Sequence, residues 1–312
     1  MPRILAVGRT LDWIERGLEE RFPTTVLSPG QAVGTLAPAV REAVTGAACF
    51  GGGFIDRELI ESLPNLRVVV NFGAGYDRID LGACRVRGIA VAYAPGVTST
   101  CVADHAMALM LALARQVVPA HRFVETGEWR ERRFPLTSRV SGRKLGIYGL
   151  GGIGGAVARR AVGFEMPVGY FNRRWRPDVG FAAFGSLNYL AAWADVLLIS
   201  CPATPATVGS VDAGVLALLG PDGLLVNVAR GSIVDEGALI DALDQNAIGG
   251  AALDVFATEP TRPERLIGRD NVLLSPHCAG GTIETWTETF ERLVANLERF
   301  FAEGSVLDPV PD

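Results

Sequence analysis

Short aliphatic runs recur along nearly the whole chain, separated by spacers long enough for a helix, and this alternation most limits the folds open to it. In the first third the runs fall at 4–7, 48–50, 68–71 and 90–92, each followed by Gly, Pro or Asp, which end strands and open turns. A second series falls at 145–148, 168–171, 196–200, 224–227, 251–255 and 272–274. Strand and helix in alternation make a parallel sheet covered by helices, so the expected class is α/β.

At 312 residues the chain exceeds what one hydrophobic core usually supports, so two domains are expected. Both are expected to be doubly wound and Rossmann-like, with parallel sheets. Between the two series lies a helical pattern over 101–118, with Ser99 or Thr100 as its N-cap, read as the passage between domains. The six runs of the second series complete a nucleotide-binding sheet. After Gly280-Gly281 a helix over 282–302 is expected to return to the first domain. That domain is then discontinuous and flavodoxin-like, 1–97 with 284–312, and 98–283 forms the Rossmann domain.

Composition removes several function classes. The net charge of −5 comes from 29 basic and 34 acidic residues that are interspersed, without the basic stripe that neutralises a phosphate backbone, so no nucleic-acid partner is expected. Cys49, Cys84, Cys101, Cys201 and Cys278 are scattered, with no CxxC pair, which fits a reducing compartment and argues against a disulfide frame or a zinc site. The run 106–114 is too short to span a membrane and the opening residues too short for a signal peptide. A cytoplasmic protein with no metal is expected.

The segment Gly149-Leu150-Gly151-Gly152-Ile153-Gly154 is a GxGxxG that directly follows the run 145–148 and precedes a helix over 155–161. Gly149 permits the tight turn, Gly151 lets backbone approach a pyrophosphate, Gly154 lets helix pack on strand, and the helix N-terminus faces the phosphates. A lone GxGxxG can be a structural turn; the strand-turn-helix context favours a dinucleotide. Where an acidic residue would hold the ribose of NAD, about 20 positions on, this chain has Asn172-Arg173-Arg174. An amide and two guanidinium groups suit a 2'-phosphate, so NADP(H) is preferred and NAD(H) remains possible.

Of three histidines, only His277 follows a strand of the second series, in Ser275-Pro276-His277-Cys278. Arg230, in Asn227-Val228-Ala229-Arg230-Gly231, and Glu259, in Asp254-Val255-Phe256-Ala257-Thr258-Glu259, also follow strand ends, where open α/β sheets place ligands. With Asn71-Phe72-Gly73-Ala74-Gly75-Tyr76-Asp77 and the GxGxxG, these motifs stand in the order found in D-isomer-specific 2-hydroxyacid dehydrogenases, and the chain resembles that family over essentially its full length. Asn172-Arg173-Arg174, Cys201-Pro202-Ala203-Thr204-Pro205 and Gly281-Thr282-Ile283-Glu284-Thr285 are similar to its NADPH-using glyoxylate, hydroxypyruvate and hydroxyphenylpyruvate reductases.

The resemblance implies reduction of a small 2-oxo acid to the D-2-hydroxy acid. Arg230, Glu259 and His277 would be catalytic. Arg230 would pair with the substrate carboxylate and polarise the keto oxygen, with the amides of Ala74 and Gly75 gripping the same carboxylate. His277 would donate the proton as hydride arrives, and Glu259 would orient it and favour its protonated form. Gly149, Gly151, Gly152, Ile153, Asn172, Arg173, Arg174, Cys201, Pro202, Thr207, Val228, Ala229, Asp254, His277 and Gly280 would line the cofactor, Asp254 at the nicotinamide carboxamide. Asp104 is read as a helix N-terminal charge, and His105, Cys278 and Trp286 as packing groups. The resemblance also implies a homodimer that pairs through the nucleotide-binding domains, for which the apolar helix from Cys101 offers a face; the segment 129–139, between that helix and the Gly-rich strand, is read as an arm toward the partner. Formate dehydrogenases pair the catalytic His with Gln, and phosphoglycerate dehydrogenases usually prefer NAD, so neither fits. A hydroxyphenylpyruvate-specific reductase and a nucleotide-sensing, corepressor-like scaffold remain the alternatives.

Overall fold

A computed structural model describes residues 1–311. They divide into two compact units: residues 1–98 together with the chain from 282 onward, and Ser99–Gly281.

The first unit holds five parallel strands, β1 (Arg3–Val7), β2 (Thr24–Leu27), β3 (Val44–Cys49), β4 (Val68–Asn71) and β5 (Ala90–Ala92), in the order β2-β1-β3-β4-β5. That is the flavodoxin-like order. Strand β2 was not among the expected runs; it is a four-residue edge strand. Successive side chains serve opposite faces. Ile4, Ala6, Val68 and Val70 pack with Ile14 and Leu18 of α1 (Asp12–Glu19) and with Phe290, Leu293 and Leu297 of α11 (Ile283–Glu303). Leu5, Val7, Ala47 and Val69 pack with Leu59 and Ile60 of α3 (Arg57–Ser62) and Cys84 of α4 (Leu81–Val86). Helix α2 (Pro38–Ala43) leads into β3 and buries no residue fully. Trp286 packs edge-on against Phe72 at 5.5 Å, in keeping with the packing role read for it.

The second unit holds seven strands: β6 (Leu145–Tyr148), β7 (Val168–Phe171), β8 (Ala182–Ala183), β9 (Val196–Ile199), β10 (Leu224–Asn227), β11 (Gly250–Leu253) and β12 (Val272–Leu274). The order is β12-β11-β10-β9-β6-β7-β8, parallel throughout, so β8 extends the expected six. Strand β9 shows why these runs are apolar at every position. Val196 and Leu198 face α5 (Ser99–Ala114) and α7 (Gly152–Val162). Leu197 and Ile199 face α8 (Leu187–Trp193), α9 (Ala213–Leu219) and α10 (Glu236–Asp244). Each fully buried Leu or Ile contributes roughly 1.5–3 kcal/mol, and polar alternation would cost that on one face.

Three local expectations are corrected. The helix expected over 101–118 begins at Ser99, so neither Ser99 nor Thr100 is its cap, and it ends at Ala114; Gln116, at φ 48°, breaks it from α6 (Val117–Glu125). A left-handed residue cannot continue a right-handed helix. Asp104 therefore lies beyond the first turn and instead takes Arg160 Nε of α7 at 2.7 Å. The helix after the Gly-rich turn starts at Gly152 rather than 155. Among the described residues no single helix is long and apolar enough to cross a membrane.

Helix α11 is capped by Thr282, whose side chain accepts from Thr285 N at 3.2 Å. Its last turns are tied to the tail: Asp308 takes Arg292 through both carboxylate oxygens at 2.5 Å, and buried Asn296 donates to Asp308 and accepts from Leu307 N and Asp308 N. The Arg292 guanidinium holds the Asp308 carboxyl below its ordinary value. A depressed carboxyl stabilises the fold above the unfolded-chain pKa, about 4, and the contribution fades as pH falls below it. Asp308→Asn is expected to lower Tm at pH 7, with the gap to wild type closing in thermal scans taken below about pH 4.

Candidate active site

Every predicted residue of the second unit follows the C-terminal end of a strand, and the sheet order sets their sequence in space. From one edge inward come His277 after β12, Glu259 after β11, Arg230 after β10, Cys201-Pro202 after β9, the Gly-rich turn after β6 and Asn172-Arg173-Arg174 after β7. At about 4.8 Å per strand step this row is roughly 24 Å long, suited to an extended dinucleotide with the acid-base groups at one end and the arginines at the other.

The Gly-rich turn fits that use. Gly149 has φ 103°, and a Cβ there would stand 2.4 Å from Cys201 N, so both conformation and close approach demand glycine. A Cβ on Gly154 would meet Gly149 O at 2.4 Å and Ile147 at 2.9 Å, whereas one on Gly151 would meet nothing within 4 Å. The open side of the turn thus lies at Gly151, where a pyrophosphate is expected, ahead of the α7 N-terminus. Gly152 and Ile153 form the first residues of α7.

The next turn is locked to this one. Leu150 N donates to Asn172 Oδ1 at 2.6 Å, and Arg176 donates to Leu150 O at 3.1 Å while binding both oxygens of Asp178. Buried Tyr170 accepts from Arg176 N and donates to Arg176 O, both at 3.0 Å. Asn172 therefore braces the turn through its oxygen, and Arg176, which sequence reasoning missed, holds it in shape. Arg173 and Arg174 are exposed.

Thr207 also braces its own loop: its hydroxyl donates to Pro202 O at 2.8 Å and accepts from Thr204 N at 2.7 Å. Cys201 is buried, and burial pushes its thiol up to about 12. Loss of solvent and the Asp254 carboxylate raise the thiol of Cys278 as well. Cys278 is exposed, which corrects its reading as a packing group. Both thiols stay protonated near neutral pH and offer no thiolate nucleophile.

The His277–Glu259 pair is assembled from two adjacent loops. His277 Nδ1 lies 2.6 Å from Glu259 Oε2, and Glu259 Oε1 accepts from Phe256 N at 2.9 Å. A carboxylate only accepts, so Nδ1 carries a hydrogen and Nε2 is the atom that can hold or release the working proton. His277 sits at φ 51°, a left-handed conformation that costs a residue with a Cβ about 1–2 kcal/mol. Such strain persists only where surroundings over-determine it.

Those surroundings centre on Asp254, which is 1% exposed. Its backbone carbonyl accepts from His277 N at 2.8 Å, Oδ1 accepts from Ser275 Oγ at 2.6 Å and Cys278 N at 3.0 Å, and Oδ2 accepts from Ala279 N at 3.0 Å. The site thus gives Asp254 a loop-holding task beside the cofactor contact implied for it. Gly280 lies in the turn that follows, which Gly281 N closes by donating to Cys278 O at 2.8 Å.

Arg230 rests on a similar frame. Asn227 Oδ1 accepts from Ala229 N and its Nδ2 donates to Arg230 O, both at 3.0 Å, while Arg230 Nη1 donates to Ala229 O at 2.8 Å. Val228 and Ala229 are buried beneath it. At Gly231 a Cβ would stand 1.9 Å from the Phe256 carbonyl carbon and 2.5 Å from Ala257 N. The loop bearing Arg230 therefore closes onto the loop bearing Glu259 through bare backbone. Ala74 and Gly75 belong to the first unit, after β4. There Asn71 Nδ2 donates to Gly73 O at 3.1 Å and Gly75 O at 2.8 Å and fixes the loop.

Because the Gly231 contact is with backbone, no side-chain movement relieves it. Gly231→Ala is expected to cost at least the upper end of the roughly 1–3 kcal/mol of overpacking, read by chemical denaturation, and to separate the Arg230 and Glu259 loops.

The family profile for the D-isomer-specific 2-hydroxyacid dehydrogenase NAD-binding domain matches residues 107–279. The chain is 41% identical to glyoxylate/hydroxypyruvate reductase A of Arabidopsis thaliana, covering 96% of this chain and 95% of that protein. It is 39% identical to hydroxyphenylpyruvate reductase of Plectranthus scutellarioides, again covering 96% and 95%. The crystal structure of NADPH-dependent glyoxylate/hydroxypyruvate reductase of Sinorhizobium meliloti, in complex with NADP and malonate, superposes with a TM-score of 0.93 at 38% identity, covering 99% of this chain and 96% of that one. The strand-end site and these similarities agree: the chain belongs to the D-isomer-specific 2-hydroxyacid dehydrogenase family.

Proposed function

We propose that this protein uses NADPH to reduce a small 2-oxo acid of the glyoxylate or hydroxypyruvate type to its D-2-hydroxy acid. The observation that carries the reading is the His277–Glu259 pair at 2.6 Å, on the same sheet edge as Arg230 and the open Gly151 turn. The cofactor, when bound, supplies the hydride. Arg230, always charged and fork-shaped, pairs with the substrate carboxylate and draws electron density toward the keto oxygen. His277 delivers its Nε2 proton to that oxygen, and Glu259 stabilises the imidazolium before transfer and keeps the ring from rotating.

Gly149, Gly151, Gly152 and Ile153 would hold the pyrophosphate, and Arg173 and Arg174 the 2'-phosphate. The relatives named for glyoxylate and hydroxypyruvate, and the one crystallised with NADP, support this choice of substrate and cofactor. The relative named for hydroxyphenylpyruvate keeps an aryl substrate as the competing reading. All five cysteines are free, which supports a reducing, cytoplasmic setting. Exposed Val117, Val124, Trp129 and Leu136 fall within the one stretch 117–136 and support a homodimer formed through α6 and the segment after it; light scattering that finds a monomer sinks that part.

The deciding assay follows NADPH oxidation with glyoxylate, hydroxypyruvate, phenylpyruvate and 4-hydroxyphenylpyruvate, repeated with NADH. Turnover fastest with the two small acids is expected; cofactor binding without turnover of any acid would favour the scaffold. His277→Asn is expected to lower kcat by about 100- to 10,000-fold while NADPH still binds in a fluorescence titration. Replacing Arg173 and Arg174 together by Ala is expected to raise the KM for NADPH about 10- to 100-fold, from the loss of charged hydrogen bonds worth roughly 1.5–3 kcal/mol. The KM for NADH should barely move.

A further inference from the structure

His105 lies on α5, remote in sequence from the catalytic loops, yet its Nε2 stands 3.0 Å from Ser275 Oγ and 3.5 Å from Asp254 Oδ1. The proton inventory fixes the direction of this chain. Asp254, as a carboxylate, can only accept, so the single hydroxyl proton of Ser275 goes to Asp254 Oδ1 at 2.6 Å. Ser275 must then accept from His105, whose Nε2 carries a hydrogen. From Asp254 the chain continues into the backbone on both sides of the proton donor, to His277 N at 2.8 Å, Cys278 N at 3.0 Å and Ala279 N at 3.0 Å.

The far end of the chain is rigid, because Ala106, Met107 and Met110 beside His105 are buried in the sheet-facing side of α5. The near end is His277 with its left-handed backbone at φ 51°, a conformation that relaxes unless held. Ser275 is the shared link. Without a donor at position 105 its oxygen can turn toward other partners, and Asp254 then loses the shortest of its hydrogen bonds.

We infer that His105 is a positioning residue for the reduction proposed above: donating through Ser275 to Asp254, it fixes the loop that carries His277 and so the place of the working Nε2, without touching substrate. The inference rests on that proposed reaction. A displacement of the proton donor by a fraction of an ångström slows proton transfer while leaving substrate and cofactor binding nearly intact.

The test compares wild type, His105→Phe, His105→Gln, Ser275→Ala and the His105→Phe/Ser275→Ala double variant with glyoxylate and NADPH. His105→Phe is expected to lower kcat about 10- to 100-fold, with the KM for glyoxylate and the Kd for NADPH held within about threefold. His105→Gln places an amide donor at similar reach and is expected to recover kcat to within about threefold of wild type. The double variant is expected to be no slower than Ser275→Ala alone, because both act through one chain. A glutamine variant as slow as phenylalanine, multiplying losses in the double variant, or a loss confined to KM overturns the inference. Should His105→Phe not fold, Ser275→Ala and His105→Gln carry the same contrast, the first slow and the second fast. A wild type that turns over no 2-oxo acid overturns the proposed function; an active wild type with an equally active His105→Phe overturns the inference alone.

Discussion

A carboxylate that is 1% exposed cannot remain in a folded protein without partners, since an unpaired buried charge costs more than most single interactions return. Asp254 finds most of its partners in one loop. Three backbone amides and the Ser275 hydroxyl converge on its carboxylate and carbonyl, so the cost of burying the charge becomes the force that shapes the turn holding His277. The imidazole carried by that turn meets Glu259 at 2.6 Å.

The same economy of backbone recurs along the sheet edge. At Gly149, Gly154 and Gly231 main chain approaches main chain too closely for any side chain. These contacts draw neighbouring loops into register, and none of the three glycines contributes a functional group. Polar side chains then finish what the glycines permit: Asn172 ties the Gly-rich turn to the arginine turn, Asn227 curls the Arg230 loop and Thr207 staples its own. The reactive groups are few, and most of the polar atoms around them hold loops.

Much of this was legible in the residues. The aliphatic runs located ten of the strands, and the strand-turn-glycine context of Gly149 to Gly154 announced both its conformation and its open side. Arg230, Glu259 and His277 could be singled out because each follows a strand in the same series. Two of the four edge strands escaped notice: Thr24–Leu27 is half-solvated and Ala182–Ala183 is only two residues long, so neither has the fully apolar signature of a covered strand. The break at Gln116 also left no mark, because glutamine is a good helix former and only the packing around it selects a left-handed turn. Gly231, Arg176 and His105 belong to a third class. Their tasks are set by atoms distant in sequence, and no local pattern encodes a contact between loops that follow different strands.

The placement of α11 has a consequence for how the chain comes into being. One face of the first sheet is covered by Phe290, Leu293, Val294 and Leu297, residues synthesised after the whole of the second unit. While the ribosome makes the intervening stretch, Ile4, Ala48, Val68 and Val70 wait with that face covered only in part, by Ile14 and Leu18 of α1. The second unit, contiguous from Ser99 to Gly281, has all of its strands in hand before the first can close. The unit that comes first in this sequence therefore cannot complete its core until α11 is made, and the interval is when a nascent chain of this kind most needs its sticky strands shielded.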